Sequence, residues 1–167
     1  MCYLISVAIT GFPDDVTRTF QRHGLLATPN KNPSVLRAFG GTRPVFDITV
    51  GGCSCDIHAA ARARFDEAAE RARFAPKGWS LQKIERALKD RRQAYQRVRA
   101  RAFQWNDFTE ALASILGAGG KAALLSHFYS GNWDEEAVPM PKTASARLTD
   151  LAAKETPLAE DTVMSII

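Results

Sequence analysis

The chain has 167 residues, 46% of them hydrophobic and 24% charged, with 22 Lys and Arg against 18 Asp and Glu. These proportions suit one globular domain with an appendage and argue against wholesale disorder. The net charge of +4 is too small to imply a nucleic-acid partner, and no apolar run approaches the roughly 18 residues needed to span a bilayer.

Residues 1–9 lack a basic leader and a cleavage site, so they read as a strand rather than a signal peptide. In that strand Tyr3, Ile5, Val7 and Ile9 share one face and Leu4 and Ala8 the other. Pro13, Asp14 and Asp15 then open a helix that carries Val16 and Phe20 and stops near Gly24. Two β-like stretches follow, 25–28 and 35–39, separated by Pro29, Asn30, Asn32 and Pro33. Gly40-Gly41 suits a hairpin turn. Residues 45–50 read as a strand with Phe46, Ile48 and Val50 on one face and Val45, Asp47 and Thr49 on the other.

After Gly51-Gly52 the period becomes helical, through Ile57, Ala61, Phe65, Ala68 and Ala72 to a break at 74–78. A second stripe starts near Ser80 and runs through Ile84, Leu88, Tyr95, Trp105 and Phe108 to Ile115. Unbroken, residues 80–116 would form a helix of roughly 55 Å. Capping residues at 106–110 predict a break or kink there. Residues 122–129 read as a further strand. The polar tail holds a short helix within 145–154, and 162–167 is either a docked terminal strand or a loose end.

The order strand, helix, strand, strand, long helical section, strand fits a ferredoxin-like βαββαβ plan, an α+β antiparallel sheet with helices on one face. The expected division is an α+β domain at 1–138 and a polar, partly ordered C-terminal extension at 139–167.

The three cysteines, Cys2, Cys53 and Cys55, form no disulfide framework, which makes the reducing cytosol the expected compartment. Cys53 and Cys55 stand between a strand and a helix in Gly51-Gly52-Cys53-Ser54-Cys55-Asp56-Ile57-His58. Free N–H groups at a helix start favour thiolates, and His58 falls in the first turn. Cys53, Cys55 and His58 are therefore candidates for a nucleophile with its base, a redox pair, or a soft-metal site for zinc or copper(I). The plain alternative is buried cysteines beside a capping Ser54.

Reading the strands at 3–9 and 45–50 as parallel puts Cys2 and Cys53 at opposite sheet ends, roughly 20 Å apart, so a Cys2–Cys53–Cys55 cluster and the ferredoxin-like plan do not readily go together. Removal of Met1 would leave Cys2 with a free α-amine, as in outline at the start of N-terminal-nucleophile amidohydrolases. Those of the glutamine-amidotransferase kind place glycine after the cysteine, where this chain has Tyr3. His127, on the strand at 122–129, is expected to approach Cys2 if the two strands are neighbours. His23 is expected to face the negative end of the first helix.

Residues 62–101 hold thirteen basic and five acidic side chains, a net charge of +8, which leaves −4 for the rest. Arg86, Arg91, Arg92, Arg97, Arg99 and Arg101 are candidates for binding nucleic acid or an acidic protein, with Tyr95, Phe103 and Trp105 available to stack if exposed. The plain alternative is a solvated face with intrahelical pairs such as Glu85–Lys89. A homodimer is a third use, with the acidic Asp134-Glu135-Glu136 run against this face in a neighbour or within the chain.

Overall fold

The computed structural model describes residues 2–12, 15–41, 43–62, 65–100, 103–153 and 158–167, with the side chains of all these except 60–62, 75, 95, 97–100 and 103–104. Six strands form one mixed sheet: β1 (Cys2–Thr10), β2 (Leu26–Pro29), β3 (Val45–Thr49), β4 (Lys121–Tyr129), β5 (Lys142–Ala146) and β6 (Thr162–Ile166). Their order across the sheet is β2-β3-β1-β4-β6-β5. All neighbouring pairs are antiparallel except β5 and β6, which are parallel.

Seven α-helices are described: α1 (Val16–Arg22), α2 (Pro33–Ala38), α3 (Cys55–Arg62), α4 (Glu67–Phe74), α5 (Leu81–Ala100), α6 (Phe103–Gly117) and α7 (Leu148–Ala152). The fold is thus α+β. Its six strands and their order do not support the four-stranded ferredoxin-like plan. Residues 162–166 are a docked strand lying between β4 and β5.

Alternation along β1 serves two apolar layers. Ile5, Val7 and Ile9 join Ile48, Leu124, Met164, Phe20, Phe108, Leu112 and Ile115 in the larger core. Ala8 joins Val45, Leu125 and Val163 beneath Val35 and Phe39 on the other face. Helices therefore cover both faces, because α2 stands where a strand over 35–39 was expected. Asn32 explains this. Its side chain accepts the N–H groups of Ser34 and Val35, and Pro33 follows at the first helical position, so the Asn-Pro pair starts a helix. Gly40-Gly41 ends that helix: their N–H groups bond back to Arg37 and Leu36, with φ of +86° and +73°.

Two more expectations need correction. The helical pattern over 55–74 is two helices, because Asp66 caps α4 by accepting the N–H of Ala69. The break foreseen at 106–110 is not there, and α6 runs through it. Thr109, read as a capping residue, instead turns its hydroxyl back onto the carbonyls of Trp105 and Asn106. Arg101 and Ala102, between α5 and α6, lie outside the described residues. Among the described residues no helix is long and apolar enough to cross a membrane.

Candidate metal centre

β3 runs antiparallel to β1, with Ile5 opposite Ile48 and Val7 opposite Phe46. The start of β1 therefore meets the end of β3. This overturns the parallel reading that argued against Cys2, and of the two alternatives the cluster stands: the Sγ atoms of Cys2, Cys53 and Cys55 all lie within 4.8 Å of one another.

The loop that delivers Cys53 and Cys55 is shaped by backbone chemistry. Val50-Gly51-Gly52-Cys53 is a tight turn closed by Val50 N–H donating to Cys53 O at 2.9 Å. Gly51 and Gly52 take φ of +62° and +107°, which side-chain-bearing residues rarely adopt. Ser54 then locks the chain onto β1. Its N–H donates to Tyr3 O at 3.0 Å, and its hydroxyl accepts Ile5 N–H at 2.8 Å while donating to Ile48 O. It is fully buried. Ser54 also passes its carbonyl to His58 N–H, which starts α3 with Cys55 as its first residue.

All three cysteines are unpaired and partly exposed. Cys55 Sγ accepts the N–H of Tyr3 at 3.3 Å. Burial pushes the Cys53 thiol above its ordinary value. The Cys55 thiol adds to that rise, while the Cys55 backbone and the Cys2 thiol work against it.

His58 is not brought into the sulfur group. Its ring is buried and stacks on Tyr3, with centroids 3.7 Å apart and planes 12° apart. Cys2 takes the third position that the sequence reading gave to His58. Met1, and with it the α-amine reading of Cys2, lies outside the described residues.

His127 does lie one strand away, opposite Leu4, with Cys2 opposite Tyr129. Its Nδ1 is engaged by the Asp161 carboxylate. His23 is the C-terminal cap residue of α1 through its backbone N–H, and its Nδ1 lies 3.7 Å from Glu110 Oε2.

A second buried polar set was missed in the sequence. Asp47 Oδ1 accepts Ser6 Oγ at 2.6 Å and Asn30 Nδ2 at 2.8 Å. Burial holds the Asp47 carboxyl above its ordinary value, against those two hydrogen bonds. Its signal was a carboxylate at an inward position of a predicted strand, between Val45 and Thr49.

Part of the arginine-rich segment is self-paired. Arg71 meets Glu85 at 2.7 Å, Arg91 meets Glu70 at 3.8 Å, and Arg92 meets Glu67. Glu85 thus turns to α4 rather than to Lys89. Arg86 is exposed on α5. The side chains of Tyr95, Arg97, Arg99 and Phe103, and all of Arg101, lie outside the described set. Trp105 is 1% exposed and belongs to the core, so it is no stacking platform. Glu136 caps Ser130 and Gly131 through their N–H groups.

No family model matches the chain, and no curated protein or solved structure matches it.

Proposed function

We propose that the protein binds a soft metal ion, zinc or copper(I), through Cys2, Cys53 and Cys55. One observation carries this reading: three sulfurs from positions 2, 53 and 55 lie mutually within 4.8 Å. A four-coordinate zinc with metal–sulfur bonds of about 2.3 Å holds its sulfurs about 3.8 Å apart. Each pair then has to close by about 1 Å at most, a movement that partly exposed side chains can make. Thiolates prefer these soft or borderline ions over hard ones.

The competing thiol chemistries are less well supported. A nucleophile benefits from a lowered pKa, yet burial raises that of Cys53. His58, the base foreseen for it, lies against Tyr3. A metal displaces thiol protons outright, so the raised value makes uptake pH-dependent without preventing it. The anionic-partner reading of the arginines is weaker as well, since Arg71, Arg91 and Arg92 already hold carboxylates of this chain.

The test is titration of reduced protein with zinc(II) and, without oxygen, copper(I). The expected result is one tightly bound ion per chain. Uptake should fall in Cys2→Ser, Cys53→Ser and Cys55→Ser and stay unchanged in His58→Phe, which retains a ring against Tyr3. No stoichiometric uptake, or uptake that survives loss of all three thiols, overturns the proposal.

A further inference from the structure

We infer that the three-sulfur group is an exchange site, which takes up its soft ion and hands it on to a thiol-bearing acceptor, rather than a structural clamp. The inference rests on the metal reading above and adds what the ion does there.

Structural metal sites contribute folding energy because their ligand loops are disordered without the ion. Here most of the bonds that hold the ligand loop come from groups other than the sulfurs, with Cys55 Sγ adding one from Tyr3 N–H. Ser54 alone ties it to Tyr3, Ile5 and Ile48, and the Val50–Cys53 turn is closed by its own backbone bond. Cys2 is held by the β1–β4 register, opposite Tyr129. The bonds that tie the two chain segments do not pass through an ion, which leaves an ion little folding to drive.

Exposure points the same way. The sulfurs belong to none of the apolar clusters, and each cysteine is open to solvent in part. Among the described residues the protein supplies three donors, one fewer than a closed zinc site uses. An incoming thiol therefore has a route to the ion.

The exchange is redox-neutral. A bond forms between the ion and the incoming sulfur, one bond between the ion and a cysteine sulfur breaks, and the incoming thiol's proton ends on the departing cysteine. Three such steps move the ion to the acceptor and return three protonated cysteines.

Two measurements on the intact wild-type chain test this. The first is amide hydrogen exchange of metal-free and zinc-loaded protein at Ile5, Val50 and Ser54, whose N–H groups hold the loop. Equal protection in both states is expected. Protection that appears only on loading makes the site structural and overturns the inference. The second is zinc release to a chromophoric chelator at rising glutathione concentration. Doubling the thiol should double the release rate, and a rate independent of thiol overturns the inference. Failure to load zinc or copper(I) at all overturns the metal reading and this inference together, whereas loading followed by thiol-independent release overturns the exchange alone.

Discussion

The sheet body and the α4–α5 pair differ in how much apolar surface they bury and in what they set against their carboxylates. In the body, α6 buries Trp105, Phe108, Ala111, Leu112 and Ile115 against the strands. The body also buries a carboxylate, Asp47, held by two neutral donors. Among the described side chains, the α4–α5 pair buries Phe74, Ile84 and Leu88 in a separate small cluster. It holds Glu67 and Glu85 in exposed contact with Arg71 and Arg92, and pairs its one buried carboxylate, Glu70, with Arg73 and Arg91. Both helical stretches carry a regular apolar stripe. The stripe predicts a helix, but the density of charge beside it decides whether the helix reaches the main core.

The largest expected difference between the regions is in core truncation. Leu112→Ala removes a fully buried side chain from the main core and should cost about 2–5 kcal/mol. The loss should appear throughout the sheet, because the core is shared by nearly every strand. Leu88→Ala removes the same atoms from the satellite cluster. Amide exchange should quicken in α4 and α5 while β1 and β4 keep their protection. Equal slowing or quickening across both regions in the two variants would erase the distinction.

Much of this division could be read from the residues. β1 and the strand at 45–49 follow from alternation, β4 from its apolar stretch, and α6 from its stripe. The Asn32-Pro33 signal for α2 was also present in the residues. It lost to the apolar run Val35–Phe39 because short apolar stretches do not distinguish helix from strand. The position of Cys2 was beyond reach for a different reason. It depends on whether β1 and β3 run parallel or antiparallel, a non-local fact that no short pattern carries. The same holds for Glu85, whose partner Arg71 is fourteen residues away on another helix, although Lys89 lies at ordinary helical spacing.

The carboxylates provide a sharper comparison, because their pH dependences have opposite signs. Asp47 has its pKa raised by burial, so the folded protein keeps this proton where the unfolded chain has lost it. Its contribution to stability is full below the ordinary carboxylate range and is lost as pH rises through the folded value. Asp47→Asn should therefore gain on wild type between acid and neutral pH. The amide oxygen can still accept from Ser6 and Asn30, and a gain on the order of 1 kcal/mol is expected from chemical denaturation. A difference between the two proteins that does not change with pH would remove Asp47 as a titrating group.

Glu67 should give the smallest effect. Its carboxyl is held below its ordinary value by the hydrogen bond from Arg92, with Arg71 adding to it. The stability it contributes is present above the ordinary carboxylate range and lost as pH falls through the folded value. Glu67→Gln should thus resemble wild type in acid and fall slightly behind at neutral pH, the reverse of Asp47→Asn. Both partners are near half exposed, so the pair competes with water and dissolved ions. At about 1 M salt the screening length is about 3 Å, and the deficit of Glu67→Gln should vanish there. The pH trend of Asp47→Asn should survive the same salt, since that carboxylate is shielded by protein rather than by solvent. Melting curves of both variants in low and high salt therefore decide whether charge in the sheet body and charge on α4–α5 obey different rules. A deficit in Glu67→Gln that persists in high salt would show that the α4–α5 pairs behave as buried ones, and the contrast between the regions would then rest on their apolar contacts alone.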